Sequence, residues 1–262
     1  ISLPTEVSER LYSFDRLMKE KRMEAPRMGW VDKDDVVYSA APGLKVGATF
    51  SPAGVKKLFR DAPVSWDRVL EAAAKEGGVT PTFELPVTLS VNQASTLGDI
   101  ISANVLGLIE GSDPQLKNEV LVLSAHLDHI GVTTTDEEDR INNGALDNAA
   151  GVATLIEAAR LLMAGERPRR SVLFFANTAE EKGLLGSQYF AKQPTLASDR
   201  LVANINLDMP LLTYDFQDVI VFGGTRSTLQ DAIEQAAAQM GLTIGEDPFP
   251  EQGIFTRSDH FR

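Results

Sequence analysis

Residues 120–128 read VLVLSAHLD, and they indicate the fold class more clearly than any other segment of the chain. The first five residues are aliphatic except for the final serine, which is typical of a strand buried on both faces of a parallel sheet. The stretch then reaches His126 and Asp128, whose side chains can bind metals. In open α/β sheets, functional groups collect where the strands end at their carboxyl edge. We therefore expect a buried strand that carries polar side chains to such an edge.

Strand and helix patterns alternate on both sides of this stretch. Further strands are predicted at 103–109, 171–176, 201–207 and 219–222. The apolar spacing of i, i+3, i+4 and i+7 is typical of amphipathic helices, which are predicted at 148–164, 181–191 and 228–240. Strands that alternate with helices imply crossover connections and a mostly parallel mixed sheet with helices on both faces. The predicted fold class is α/β.

The first third of the chain is rich in charged and turn-forming residues. It predicts one helix at 66–75, ended by Gly77 and Gly78, and one strand at 83–91, where apolar and polar residues alternate. No catalytic or metal-binding pattern is recognisable in this part of the sequence.

The composition excludes several classes of function. The 262 residues carry a formal net charge of -12, which argues against a nucleic-acid partner because phosphate binding needs clustered lysine and arginine. No apolar stretch approaches the roughly 20 residues that span a bilayer, so membrane insertion is not expected. The absence of cysteine excludes disulfides, thiolate zinc sites and a cysteine nucleophile.

Side chains suited to metals follow several of the predicted segments. Besides His126, the candidates are Asp147, the pair Glu180-Glu181, Asp208 and His260. Imidazole and carboxylate donors without thiolate suit Zn²⁺ in a catalytic rather than a structural site. Two histidines with three or more carboxylates exceed what one four-coordinate zinc needs. Two metals about 3.5–4 Å apart, joined by a bridging carboxylate, are therefore predicted.

Each of these residues also has an ordinary structural explanation. Asp147-Asn148 can cap a helix, and Asp208 can form a turn before Pro210. The pair Glu180-Glu181 can stabilise a helix N-terminus through its charge. The placement of all these residues at equivalent positions in one α/β pattern favours a site over separate structural roles.

Five motifs carry a resemblance to a known family. They are HLD at 126–128, GALDNAAG at 144–151, TAEEKGLLGS at 178–187, NLD at 206–208 and SDH at 258–260. In this order they resemble the co-catalytic zinc exopeptidases, which include leucyl aminopeptidases, glutamate carboxypeptidase and the related glutaminyl cyclases. The resemblance extends roughly from Ala103 to the C-terminus and implies a three-layer fold of the zinc-exopeptidase kind.

The resemblance implies a set of metal ligands. Asp147 would bridge two Zn²⁺ ions, and Mn²⁺ or Co²⁺ could replace the zinc. His126 and Asp208 would complete one site, and Glu181 with His260 would complete the other.

The resemblance also implies two catalytic residues. Glu180 would be the general base, and Asp128 would accept a hydrogen bond from His126 and fix its tautomer. A cis Asp147-Asn148 peptide bond is expected as well. His129 receives no such role: it either lines the site or lies in its surroundings.

Three domain segments are predicted from the resemblance. Residues 1–60 are similar to the rear portion of a protease-associated domain, and 61–95 would connect it to a zinc peptidase domain at 96–262, truncated at its C-terminus. Relatives with such an inserted domain are commonly exported, so a periplasmic or secreted location is expected.

An aminopeptidase that removes N-terminal residues from peptide substrates is the leading functional prediction. Met209 and Phe255 are candidates for a pocket that receives an apolar side chain. A carboxypeptidase, a glutaminyl cyclase-like acyltransferase with one zinc, and a non-catalytic binding module on the same fold are the alternatives. The sequence leaves the oligomeric state open.

Overall fold

A computed structural model describes residues 2–19, 26–75, 77–133 and 138–262. The chain separates into two units, one formed by Ile1–Pro26 and Tyr38–Asp99 and the other by Arg27–Val37 and Ile100–Arg262. Most of the predicted segment 1–60 and all of 61–95 belong to the first unit. The likeness of residues 1–60 to a protease-associated domain stays a prediction.

Four short helices are described in the first unit: α1 Glu6–Leu11, α2 Phe14–Lys19, α3 Pro52–Leu58 and α4 Trp66–Ala73. Thr5, Ser51 and Ser65 precede three of them, and each hydroxyl oxygen accepts a hydrogen bond from a backbone N–H of the first turn. Helix α4 confirms the helix predicted at 66–75.

The strand predicted at 83–91 is wrong. The described backbone forms no strand there, and Val87, Leu89 and Val91 are 43%, 49% and 57% exposed. An alternating pattern stabilises a strand only where a neighbouring strand pairs with it and one face is covered. Neither condition is met by the described residues of this segment.

The strands described in the second unit are β1 Val105–Ile109, β2 Val120–His126, β3 Gly131–Val132, β4 Ile141–Asn142, β5 Ser171–Asn177, β6 Leu201–Asn206, β7 Asp218–Ile220 and β8 Thr243–Gly245. The main sheet has the order β1-β5-β2-β6, while β3–β4 and β7–β8 form separate two-stranded sheets. Strand β2 lies parallel to both β5 and β6, and β1 runs antiparallel to β5. The predicted α/β class with a mostly parallel mixed sheet is confirmed.

Helices cover both faces of the main sheet because the central strands are apolar on both sides. On one face, Phe175 of β5 packs in a cluster with Phe190 of helix α6, Leu185–Lys192. On the other face, Phe174 packs in a cluster with Leu155 of helix α5, Gly151–Ala164. Burying each such side chain stabilises the fold by about 1.5–3 kcal/mol. The result is the predicted three-layer arrangement.

The helices of the second unit differ from prediction mainly at their starts. Helix α5 is regular only from Gly151, because Asp147 and Asn148 have non-helical backbone angles. Helix α6 begins at Leu185 rather than 181, since the preceding residues form a turn that ends at Leu184 with φ of 61°. Helix α7, Leu229–Gln239, matches its predicted range within one residue. Among the described residues, no helix is long and apolar enough to cross a membrane.

Candidate active site

The parallel strands end at one edge of the sheet, and His126, Glu180 and Asp208 lie at or shortly after these ends. His126 is the last residue of β2, and its register partner on β5 is Asn177, after which the chain reaches Glu180. Strand β6 ends at Asn206, two residues before Asp208. The predicted clustering at the carboxyl edge of the sheet is therefore observed.

A first group of metal-binding atoms forms around His126, which is only 1% exposed. Its Nε2 atom lies 3.1 Å from Oδ1 of Asp147 and 3.4 Å from Oδ1 of Asp208. The three donor atoms lie within 4.8 Å of one another, as a shared cation requires. The structure thus brings together the three residues predicted for one metal.

Negative charge dominates around this imidazole. Burial alone would lower the pKa of His126, but the hydrogen bond and charge of Asp208, with the charges of Glu180 and Asp147, raise it to about 9. A histidine pKa so far above its ordinary value of 6.5 means that the carboxylates attract a positive charge. A proton or a metal ion can supply that charge at the same position.

The side chain of Asn148 links the Asp147 turn to the Asp208 turn through hydrogen bonds. Its buried side chain donates from Nδ2 to the carbonyl of Leu207 at 2.9 Å, and its Oδ1 accepts from the N–H groups of Gly151 and Met209, both at 3.1 Å. The cis peptide bond expected between Asp147 and Asn148 is confirmed. These hydrogen bonds explain why two segments 60 residues apart present their carboxylates to the same imidazole.

Asp128 has a different role from the one predicted. Its backbone carbonyl, not its carboxylate, is the closest acceptor for Nδ1 of His126, at 3.1 Å against 3.8 Å for Oδ1. With a proton on Nδ1 held by this contact, Nε2 is the ring atom that either donates a second proton to the other carboxylates or binds a metal ion in its place. The Asp128 carboxylate instead accepts the backbone N–H groups of Glu180 at 3.0 Å and Glu181 at 3.3 Å. It therefore positions the turn that carries the predicted general base.

A second group of donors contains His129, which has no assigned role in the predicted site. Its Nδ1 lies 2.8 Å from Oε1 of Glu181 and 3.8 Å from Oδ2 of Asp147. Among the described residues, neither Nδ1 of His129 nor Oε1 of Glu181 has a hydrogen-bond partner, although both are buried. Two buried donor atoms that approach without hydrogen-bond geometry fit ligands aimed at a common ion. The available sequence signal was the spacing His126-x-x-His129.

Asp147 belongs to both donor groups. One carboxylate oxygen faces His126 and the other faces His129, so the arrangement matches the predicted bridging carboxylate. The donors comprise two imidazoles and three carboxylates without thiolate, which suits catalytic rather than structural metal sites. The residues present therefore fit two metal ions.

His260 belongs to neither donor group among the described residues, so its role as a ligand stays a prediction. Its ring centre is 5.2 Å from that of Phe255, and its buried Nε2 has no hydrogen-bond partner among those residues. Burial lowers the pKa of His260, and Asp208 is the carboxylate whose charge opposes this effect. Beside Asp147 and Glu181, the structure has His129 instead of His260.

Glu180 stands beside both groups without belonging to either. Burial raises its pKa to about 8, and the charges of Asp259, Asp208 and Glu181 add to this effect against that of His126. A carboxyl group that titrates near neutral pH can both take and return a proton at that pH. The adjacent Glu181 also has a raised pKa, first because of burial and then because of the charge of Asp147.

Comparison with known proteins places these residues in a family context. The sequence profile of peptidase family M28 matches residues 104–262. The chain is 33% identical over 164 residues to mouse aminopeptidase NAALADL1, covering 58% of this chain and 20% of that protein. It is 30% identical over 187 residues to a glutamate carboxypeptidase 2 homolog from Caenorhabditis elegans, covering 67% and 22%.

A shorter match has higher identity. The chain is 47% identical over 66 residues to a probable zinc metalloprotease from Pyrenophora tritici-repentis, which covers 25% of this chain and 15% of that protein. Across these three relatives, the matched region spans between 15% and 22% of their length.

Proposed function

The chain belongs to peptidase family M28, and from this premise we propose that it carries the active site of a metal-dependent aminopeptidase. Its reaction is hydrolysis of the first peptide bond of a peptide substrate. The observation that carries the proposal is the pair of donor groups that share Asp147, with Glu180 beside them.

The proposed metals are two Zn²⁺ ions. His126, Asp147 and Asp208 would hold one ion, and His129, Asp147 and Glu181 the other. The donor types support zinc, as does the likeness to a relative described as a probable zinc metalloprotease. When bound, the ions supply an activated water and polarise the carbonyl of the scissile bond.

Glu180 performs the proton transfers in the proposed reaction. Its carboxylate takes a proton from the attacking water as the water oxygen bonds to the carbonyl carbon. It then gives the proton to the amine nitrogen as the carbon–nitrogen bond breaks, so the amine leaves neutral. Bound cations lower the pKa of Glu180 by their charge, which favours the carboxylate form needed at the start. Asp128 holds the Glu180 turn through the two backbone N–H groups.

The charge of the site supports recognition of the amino end of a substrate. The leading charges acting on Glu180, Glu181 and Asp259 come from carboxylates and imidazoles. In the metal-loaded site, a carboxylate that holds no ion, such as that of Glu180, can attract the free α-ammonium of a peptide. The half-exposed side chain of Met209 follows Asp208 directly and is available to contact the side chain of the first substrate residue.

Glutaminyl cyclase-like chemistry with one zinc is less well supported. The group of His129, Asp147 and Glu181 provides donors for a second ion, which a one-metal enzyme does not need. A non-catalytic module would also be expected to lack some donors, whereas both groups are complete with three.

A substrate panel with controlled metal content tests the proposal. Metal-depleted and zinc-restored protein is assayed on aminoacyl p-nitroanilides, on the same compounds with an acetylated amine, on N-acylated dipeptides with a free terminal carboxylate and on an N-terminal glutaminyl peptide. We expect zinc-dependent hydrolysis of the free-amine compounds alone. Release from acetylated or carboxyl-terminal substrates, or ammonia release with ring closure from the glutaminyl peptide, would overturn the aminopeptidase proposal.

A further inference from the structure

Asp259 is a buried carboxylate outside both donor groups. It is 3% exposed, and its Oδ2 accepts a hydrogen bond of 2.7 Å from Nδ2 of Asn177, which is fully buried. Burying a charge is costly unless hydrogen bonds compensate it, so an apolar residue would be expected here in the absence of a specific use. The bond to Asn177 indicates what that use is.

Asn177 is the last residue of strand β5. The turn that follows it, residues 178–184, carries Glu180 and is called the catalytic turn. The backbone carbonyl of Asn177 accepts the N–H of Leu127 at 2.8 Å, directly after His126. Two residues further on, Ala179 takes a left-handed φ of 55°, and Glu180 follows. A change in the orientation of Asn177 is therefore transmitted to Glu180 over only three residues.

The segment that carries Asp259 also contacts the first donor group. Ser258 donates from Oγ to Oδ2 of Asp208 at 3.5 Å. The consecutive residues Ser258 and Asp259 thus contact Asp208 after β6 and Asn177 at the end of β5, respectively. On the opposite side, the Asp128 carboxylate accepts the backbone N–H groups of Glu180 and Glu181. Two different carboxylates thus hold this region, Asp259 at the end of β5 and Asp128 in the turn that follows.

We propose that Asp259 is a positioning residue, which holds Asn177 and through it fixes the orientation of Glu180 toward the reacting water. The expected effect of Asp259 on kcat rests on the proposed aminopeptidase function, whereas its expected effect on the conformation of the catalytic turn does not. Misplacing a catalytic group by about 1 Å can cost about 100-fold in rate. Loss of the Asn177–Asp259 bond therefore lowers kcat while the metal ligands and substrate contacts remain.

A reciprocal exchange tests the proposal by steady-state kinetics on the zinc-loaded chain. We expect Asp259→Ala to lower kcat about 10- to 100-fold with KM and zinc content near wild type. Asp259→Asn keeps an acceptor for Asn177 and should recover most of this loss. Asn177→Asp alone places a second carboxylate against that of Asp259 and should resemble Asp259→Ala. The double variant Asn177→Asp/Asp259→Asn restores the hydrogen bond with donor and acceptor exchanged.

Asp113→Ala is the matched control, because the Asp113 carboxylate also accepts a side-chain hydrogen bond, from Arg169, but lies at the opposite end of the sheet. It should leave kcat unchanged. Wild-type kcat in Asp259→Ala would overturn the proposal. So would failure of both Asp259→Asn and the double variant to regain activity while folded and zinc-loaded.

Hydrogen exchange of the metal-free protein gives a readout that needs no peptidase activity. The amides of Glu180 and Glu181 should exchange faster in Asp259→Ala than in wild type, and at the wild-type rate in Asp113→Ala. Unchanged exchange in folded Asp259→Ala would overturn the positioning role even if the enzyme is active. Faster exchange together with an inactive wild-type protein would support the positioning role and reject the proposed function.

Discussion

The two ends of the main sheet use the same acidic residue types for opposite purposes. Before strands β2 and β5, Asp113 pairs with Arg169 at 2.8 Å and Glu119 pairs with Arg170 at 2.6 Å. The hydrogen bond from Arg169, with two from backbone N–H groups, lowers the pKa of Asp113 to about 2. After the strands, burial among carboxylates raises the pKa of Glu180 to about 8.

The environment of a carboxylate, and not its residue type, therefore separates a structural carboxylate from a catalytic one. At the amino end, Asp113 and Glu119 each have an arginine partner, and the lowered pKa of Asp113 keeps that carboxylate charged at every physiological pH. At the carboxyl end, carboxylates outnumber their positive partners, and the imbalance attracts protons or metal ions. Of Asp113 and Glu180, Glu180 with its raised pKa is the one suited to proton transfer.

The largest expected effect is on Glu180. We expect Glu180→Gln to lower kcat about 10²- to 10⁴-fold, because the amide cannot accept a proton from water. Zinc content should stay at its wild-type value, since Glu180 belongs to neither donor group. Steady-state assays paired with elemental analysis measure both quantities. Activity close to wild type would mean that the raised pKa has no catalytic use.

A pair of histidine variants comes next. His129→Ala should reduce the stoichiometry from about two zinc ions per chain to about one, whereas His260→Ala should keep about two. Elemental analysis after dialysis gives the stoichiometry, and the absorption spectrum of the cobalt-substituted protein reports the coordination of each ion. The reverse outcome would restore the assignment of His260 implied by the resemblance.

In the metal-free protein, the stability contributed by the two ends of the main sheet should change with pH in opposite directions. The folded-state pKa of Glu180 exceeds its ordinary value of 4.5, so its contribution to stability falls as pH rises from 4.5 to about 8. The raised pKa of His126 extends this loss from 6.5 to about 9. Asp113, with its lowered pKa, contributes above 3.8 and loses that contribution as pH falls toward 2.

Thermal unfolding measured across this pH range tests these signs. The melting temperature of the metal-free protein should fall between pH 5 and pH 9, and Glu180→Gln should flatten that fall. A melting temperature that rises over this interval would contradict the charge imbalance at the carboxyl edge.

The smallest effect is expected from Arg169→Ala. Exposed ion pairs contribute little because solvent screens them, so the melting temperature should fall only slightly while kcat and zinc content stay unchanged. Scanning calorimetry in low and high salt measures this contribution. A large loss of activity would show that the amino end of the sheet influences the site after all.

Local sequence patterns predicted the main sheet well. The apolar runs at β2 and β5 are buried on both faces, so their strands follow from composition and length. The strand predicted at 83–91 failed because pairing depends on a neighbour that local alternation does not provide. The start of α6 was misplaced because the catalytic turn, with Gly183 and Leu184 at positive φ, occupies the first residues of the helical pattern.

The site was predicted in part. His126 and Asp208 meet because β2 and β6 end at the same edge of the sheet, which the α/β pattern implies, whereas the Asp147 turn is held beside them by the hydrogen bonds of Asn148. The choice between His129 and His260 depends on side-chain directions after two unrelated loops, which no spacing rule specifies. The contact of the Asp128 carboxylate with the Glu180 turn also joins residues 52 apart and could not be read from the sequence.

Asp147 presents one oxygen to each donor group, and this has a thermodynamic consequence for metal uptake. If two ions bind as proposed, an ion held by His126 and Asp208 would immobilise the shared carboxylate and so remove part of the ordering entropy that the second ion must otherwise overcome. The first ion would also repel the second one and withdraw charge from the common ligand. The balance of these effects would be a coupling free energy, and by linkage each ion would change the affinity of the other by an identical factor.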